Sequence, residues 1–147
     1  ALLVSFAICS VTVAMHMSGL VLLMAFMRAR TERIRPHQNM LRQTGFIMLI
    51  VFGLFAIHAV EIWTYAALYL ALGEFSTLEA SLYFATSTFT TLGYGDVLLS
   101  RQWRLVGAIE GCNGFLLIGW STAFLVTVIG RLWAIEFDWL DHHLDGD

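Results

Sequence analysis

The chain has 147 residues, of which 59% are hydrophobic and 13% are charged, with a formal net charge of −3 and a single proline. Soluble domains carry about a quarter charged residues. Charge-free stretches include residues 1–27, 43–60, 80–95 and 111–130. This pattern excludes an ordinary soluble globule, a disordered tail and a nucleic-acid binder with a basic patch. It predicts a small, all-helical membrane domain.

Three segments are long enough to span a bilayer, because a hydrocarbon core about 30 Å thick needs roughly 20 apolar residues in a helix. We predict a peripheral transmembrane helix over 1–27, an outer helix over 43–72 and an inner helix over 105–130.

The predicted orientation rests on the linker 28–42, which contains five arginines and one acidic residue. Cytoplasmic loops carry the excess of basic residues. The linker and the acidic tail 132–147 are therefore expected in the cytoplasm, and the amino terminus outside. Glu61 is expected near the outer boundary, followed by Trp63, Tyr65 and Tyr69 in an interfacial aromatic belt.

The first predicted helix has small residues on one helical face: Ala7, Ser10, Ala14, Ser18 and Ala25. Small residues let helices approach closely in lipid, so we expect a peripheral packing element. A voltage sensor would carry arginines at every third position within the membrane, and the arginines of this chain lack that arrangement. We interpret His16 as a packed histidine, with a proton relay as the alternative.

The charge-free stretch 80–95 is too short to cross a membrane. Residues 77–89 are predicted to form a short helix, with Ser76 and Thr77 as candidate capping residues. The following segment, 91–95, contains two glycines and no helical period. Because the flanking helices both have their adjoining ends outside, this region must enter the membrane and return. Non-helical backbone at that depth is tolerated only where it is buried in protein or lines a watery path.

Glycines occupy alternate positions in this segment, at Gly93 and Gly95. An extended strand whose carbonyls all point one way needs alternating right- and left-handed dihedrals, and glycine reaches the left-handed region at little cost. A ring of such strands would form carbonyl cages that replace the water around a cation. The Thr91 hydroxyl would complete the innermost cage, and Tyr94 would point away from the ions.

The sequence TLGYGD at residues 91–96 resembles the signature filter of potassium channels. The order of predicted elements over 43–131 resembles the pore domain of that family, in a small prokaryotic form with one additional amino-terminal helix. The resemblance implies a homotetramer in the bacterial plasma membrane that conducts K⁺ passively and is not an enzyme. It implies no cofactor, only K⁺ as permeant ion. The residues that would bind it are Thr91, Leu92, Gly93, Tyr94 and Gly95.

Two alternatives stay open at this point. A weakly selective cation channel is one alternative. Leu92 departs mildly from the valine or isoleucine usual in the family, and selectivity is expected to survive because the carbonyl of Leu92 would meet the ion. A subunit of a potassium transporter is the other, although transporters with related loops usually carry several diverged copies in one long chain. A regulatory domain or subunit could lie outside these residues. His142 and His143 in the acidic tail could sense pH or bind a divalent ion, or belong to a solvated tail.

The resemblance also assigns roles along the inner helix. Gly114 stands where many members carry a hinge glycine, and plain helix packing is the alternative reading. The residues expected to face the cavity and gate are Phe115, Ile118, Thr122, Val126 and Ile129, with Ile129 near a cytoplasmic constriction.

A further set of residues is expected to support the filter: Ser87, Thr88, Thr90, Asp96 and Glu110. Ser87 stands where some family members place an acid behind the filter. Glu110 lies within the inner helix, where an unpaired carboxylate is costly. Our hypothesis is that it hydrogen-bonds Ser87, Thr88 or Thr90. The alternative is that Glu110 reaches Arg104 or the outer interface.

Overall fold

The computed structural model describes the backbone of residues 1–31 and 40–144 and the side chains of residues 1–29, 41 and 43–131. The described backbone forms four helices: α1 (Leu2–Thr31), α2 (Met40–Ala71), α3 (Leu78–Phe89) and α4 (Arg104–Leu144). Helix α4 continues beyond residue 130, where the sequence predicted its end. Most of the predicted basic linker and the tail side chains, including those of His142 and His143, lie outside the described residues.

Three segments within the described ranges are long and apolar enough to cross a membrane: Leu2–Ala29, Gln43–Ala71 and Arg104–Arg131. They coincide with the three predicted transmembrane helices. Helix α3 has 12 residues, a length of only about 18 Å, and cannot span. The chain is therefore an all-helical protein with three candidate membrane-spanning helices and one short helix between the second and the third.

Helix α2 ends in a glycine turn. Gly73 has a φ of +72°, and its N–H bonds the Leu70 carbonyl at 3.0 Å while the Glu74 N–H bonds the Tyr69 carbonyl at 3.0 Å. These bonds satisfy carbonyls that a helix end leaves free. The Glu74 carboxylate then accepts from the Ser100 N–H at 2.7 Å and the Ser100 hydroxyl at 2.9 Å. The end of α2 and the approach to α4 thus meet at one end of the bundle.

Helix α3 is inserted between these two connections and is held against α2. The Thr77 hydroxyl caps its first turn by accepting from the Ala80 N–H at 3.3 Å. The Ser81 hydroxyl donates to the Ala66 carbonyl at 2.6 Å. The ring of Phe84 meets Tyr69 edge to face, with centroids 5.3 Å apart. Polar and aromatic contacts together fix the position from which the chain leaves α3.

Helix α1 packs with a different face from the one predicted. The predicted small residues at 7, 10, 14, 18 and 25 are all exposed, whereas Ser5, Thr12, His16 and Leu20 are buried. The reason is hydrogen bonding: the Asn113 amide of α4 donates to the Thr12 hydroxyl at 2.8 Å. In an apolar surrounding, the free energy gained when a polar side chain finds a hydrogen-bond partner exceeds the free energy gained by packing a row of small residues.

The predicted aromatic belt is also wrong for Tyr65 and Tyr69, which are fully buried between the helices. Both phenols point at α4, where the Tyr65 hydroxyl accepts from Asn113 at 3.1 Å and the Tyr69 hydroxyl donates to Glu110. Trp63, in contrast, is exposed. A tyrosine can lie deep among membrane helices when its hydroxyl has a protein partner.

Helices α3 and α4 approach most closely at Gly114. A Cβ atom on Gly114 would overlap the carbonyl oxygen of Phe89 at the end of α3. This contact gives the glycine a packing role, the second of the two readings drawn from the sequence. Gly119, further along α4, has open space where its Cβ would lie.

The pair Gly114→Ala and Gly119→Ala tests this packing. We expect Gly114→Ala to lower the free energy of unfolding by at least about 1–3 kcal/mol, as overpacking does, because backbone atoms of Phe89 must move. Gly119→Ala should be neutral or stabilise by up to about 1 kcal/mol through helix propensity. Thermal unfolding in detergent measures both. Equal effects of the two substitutions would contradict the packing role.

Candidate functional site

The segment that follows α3 has an alternating backbone. Thr91, Gly93 and Gly95 have φ values of +60°, +57° and +76°, while the residues between them are outside the left-handed region. Thr91 is the one described non-glycine residue with positive φ. Alternation between left- and right-handed conformations turns successive carbonyls toward the same side of a strand. Residues 91–95, called the strand below, thus have the backbone pattern that suits a row of aligned carbonyl oxygens.

Ser87 of α3 holds this strand in place. Its carbonyl accepts from the Gly93 N–H at 3.0 Å, and its hydroxyl accepts from the Tyr94 N–H at 3.4 Å. One residue further along the helix, the Thr88 carbonyl accepts from the Thr91 N–H at 3.0 Å. These bonds attach the N–H groups of Thr91, Gly93 and Tyr94 to α3.

The strand lies at the surface of the single chain, where residues 91–96 are all exposed. Thr91 lines the same concave surface as Gly111, Cys112 and Phe115 of α4. Phe115 and Val126 are large apolar residues on the exposed side of α4, and Thr122 is exposed as well. Ile118 and Ile129 are partly buried. One side of the molecule therefore presents the exposed residues 91–96 together with an exposed, mostly apolar face of α4.

Comparison with known proteins agrees with this geometry. The sequence model of a family described as ion channels matches residues 57–131, about half of the chain. The chain belongs to this ion-channel family. No curated protein and no solved structure gave a significant match.

The matched segment of the ion channel begins within α2 and ends within α4, so it contains α3 and the strand. Helix α1 lies outside it. Membership indicates an integral membrane protein that lets ions pass rather than an enzyme that transforms a substrate. The functional site of such a protein is a path for ions. Backbone oxygens are suitable ligands for hard cations.

Asp96, directly after the strand, is held by a residue that the sequence analysis missed. The Tyr83 hydroxyl donates to the Asp96 carboxylate at 2.8 Å, and this hydrogen bond raises the pKa of Tyr83. Tyr83 lies four residues before Ser87, on the same face of α3. The spacing of four residues was the sequence signal for Tyr83. A helix face that bonds the strand through Ser87 can bond the chain after the strand one turn away.

Glu110 does not support the strand in the predicted way. Its carboxylate accepts from the Tyr69 hydroxyl at 2.5 Å, and it bonds neither α3 nor Arg104 among the described residues. The face of α4 that meets α3 is formed by Gly111 and Gly114, and position 110 is turned about 100° from position 111. Glu110 is fully buried against α2. Both sequence-based alternatives for its partner are wrong.

Thr90 likewise has a local role, since its hydroxyl donates to the Thr86 carbonyl of the preceding turn at 2.7 Å. The described structure therefore brings Ser87, Thr88 and Asp96 to the strand or its end, and it leaves Glu110 on the other side of α4.

Tyr83→Phe should destabilise the conformation of the strand by about 1 kcal/mol, the net value of one hydrogen bond, because Asp96 loses its partner. In single-channel recordings we expect open bursts to shorten about fivefold. Thr86→Val on the same helix is the matched control, since the Thr86 hydroxyl bonds only the Leu82 carbonyl of its own helix. Burst durations that are unchanged in Tyr83→Phe would contradict this role of Asp96.

For Glu110 the structure predicts an effect on stability and none on ion selectivity. Glu110→Leu leaves the buried Tyr69 hydroxyl without a partner and should cost about 1–3 kcal/mol. The double variant Glu110→Leu/Tyr69→Phe removes both partners and should recover much of that loss. Unfolding curves and reversal potentials measure the two properties. A changed reversal potential in a folded Glu110→Leu channel would show that Glu110 acts on the ion path after all.

Proposed function

We propose that the chain forms a homotetrameric channel that conducts K⁺ selectively and passively across a bacterial plasma membrane. The observation that carries the proposal is the left-handed backbone at Thr91, Gly93 and Gly95 within the sequence TLGYGD. Alternation at these three positions aligns the carbonyls of consecutive residues, and the motif is the one that resembles potassium-channel filters.

Selectivity would arise from backbone oxygens. Four strands around an axis would place rings of carbonyls one above another, and each pair of rings would replace the water around a dehydrated K⁺ ion. The Thr91 hydroxyl would complete the lowest cage. The Ser87 and Thr88 bonds to the strand support the cages from behind. The carboxyl end of α3 adds partial negative charge near the path, which favours a cation.

The number of four copies is what the resemblance to potassium channels implies, and the uncovered strand of the single chain supports association. Residues 91–96 are exposed in the single chain, and lipid cannot satisfy their backbone groups. Tyr94 is 67% exposed and would pack between its own strand and the neighbouring subunit. A closed ring with cyclic symmetry covers each strand and leaves a central path.

The exposed face of α4 would line that path below the strands. Phe115 lies beside Thr91 and would border a central cavity, with Ile118, Thr122 and Val126 further along. Ile129 would form the narrowest ring. An apolar ring of this kind closes a pore by excluding water.

The proposed orientation follows from the sequence. The arginine-rich linker 28–42 would lie in the cytoplasm, so the amino terminus would be outside and the carboxyl end inside. Helix α3 and the strand would then enter the membrane from the outer side and return to it, in line with the meeting of Glu74 and Ser100 at one end of the bundle.

Current recordings from purified protein in lipid bilayers, with K⁺ on one side and Na⁺ on the other, test the proposal. We expect a reversal potential far from zero that follows the K⁺ gradient, as the potential of a K⁺-selective electrode does. A reversal potential that ignores the K⁺ gradient would indicate a weakly selective cation pore. Movement of K⁺ only together with a second ion would indicate a transporter subunit.

Two variants separate backbone from side-chain effects in the same recordings. Leu92→Val should keep the reversal potential, because the carbonyl and not the side chain would meet the ion. Tyr94→Leu should shift it toward zero, because the strand loses the aromatic ring that braces it. Loss of selectivity in Leu92→Val would contradict a filter built from carbonyls.

A further inference from the structure

A second polar cluster lies away from the ion path, between α1 and α2. Glu61 of α2 meets two imidazoles: His16 Nδ1 lies 2.9 Å from Oε1, and His58 Nδ1 lies 2.8 Å from Oε2. The side chains of His16 and Glu61 are fully buried, and that of His58 is 15% exposed. Glu61, expected near the outer boundary, is instead the centre of a buried group, and His16 has a carboxylate partner.

The helices are shaped to bring these residues together. His58 and Glu61 are three residues apart and share one face of α2. His16 faces them from α1, and one turn later Gly19 allows the close approach. A Cβ on Gly19 would come within 2.7 Å of the Ile57 side chain. The cluster therefore lies where the two backbones come close.

We propose that His16, His58 and Glu61 bind a divalent transition-metal ion, with Zn²⁺ as the best fit. Two histidines and a glutamate form an established zinc donor set, completed by water as fourth ligand. One donor atom from each residue lies within 4.8 Å of the others. Donors of a tetrahedral zinc site are about 3.4 Å apart. Each of the two imidazole–carboxylate distances therefore needs to widen by only about half an ångström, and the donor atoms of the two imidazoles lie within 4.8 Å of each other.

Charge balance favours an ion at this position. A buried carboxylate far from water is costly unless positive charge lies beside it, and a divalent cation supplies that charge. Zn²⁺ with one bound hydroxide would make the site neutral, and zinc lowers the pKa of bound water to about 7.

A metal at this site would clamp α1 onto the channel segment. His16 lies outside the segment matched by the ion-channel family, and His58 and Glu61 lie inside it. The His16 ring contacts Trp120 of α4 with centroids 5.7 Å apart, and the His58 ring contacts Phe89 at the end of α3 at 5.9 Å. The site therefore touches all four helices, and it does not depend on which cation the pore selects.

Calorimetric titration of the purified, EDTA-treated full chain with Zn²⁺ tests the proposal. The parent protein carries alanine at His37, His142 and His143, the three other histidines of the chain, so that only the cluster retains imidazoles. We expect one Zn²⁺ per chain. His58→Ala should weaken Zn²⁺ binding at least about 100-fold. Loss of a residue that only hydrogen-bonds a metal ligand already costs up to about 100-fold in affinity, and His58 would be a ligand itself.

His58→Cys is the matched variant, because a thiolate is also a zinc ligand. It should restore binding of one Zn²⁺ per chain, and the parent with Co²⁺ should show the intense visible absorption of a four-coordinate ion. Zn²⁺ should raise the thermal unfolding temperature of the parent and of His58→Cys but not of His58→Ala. His58 is the position varied because it is partly exposed, and unfolding without metal checks that each variant folds.

Two results would overturn the proposal. One is a parent that binds no Zn²⁺ at micromolar concentration. The other is binding of equal stoichiometry and affinity in the parent and His58→Ala, which would place the metal elsewhere on the chain.

Discussion

Lipid offers no hydrogen bonds, and this constraint explains most of what is unusual in the structure. A polar group between the spanning helices is therefore stabilised by a partner within the protein. Asn113 has two such partners, since it donates to Thr12 of α1 and to Tyr65 of α2. The same holds for the strand after α3, whose N–H groups bond Ser87 and Thr88. In the proposed channel the carbonyls of this strand would meet the ions.

The buried polar groups also determine how the additional helix is attached. Dispersion contacts alone leave a lipid-facing helix free to rotate, because lipid tails are as apolar as its side chains. Thr12 and His16 remove that freedom, since each bonds a residue of another helix. Helix α1 is thereby joined to the outer and inner helices through specific bonds. The channel segment and α1 form one packed unit, in which a change at the His16–Glu61 contact is one aromatic ring away from α3 and α4.

Features determined by local sequence were predictable. The three spans follow from runs of apolar residues, α3 from its length and capping threonine, and the left-handed positions from Gly93 and Gly95. Features that depend on how one helix is rotated against another were not. The buried face of α1, the deep position of Tyr65 and Tyr69, and the Glu110 partner all depend on which neighbour each side chain meets. A carboxylate in an apolar helix indicates that a partner exists, and the sequence does not say on which helix.

In the proposed channel, four copies come together around the strands and K⁺ binds between them. Native mass spectrometry of the purified protein, heated in K⁺ and in Na⁺, tests both parts at once. We expect a particle with four times the mass of the single chain. We also expect a higher dissociation temperature in K⁺, because an ion that binds only the assembled state stabilises it. Monomers or dimers in both salts, or a tetramer equally stable in K⁺ and Na⁺, would contradict the proposed channel.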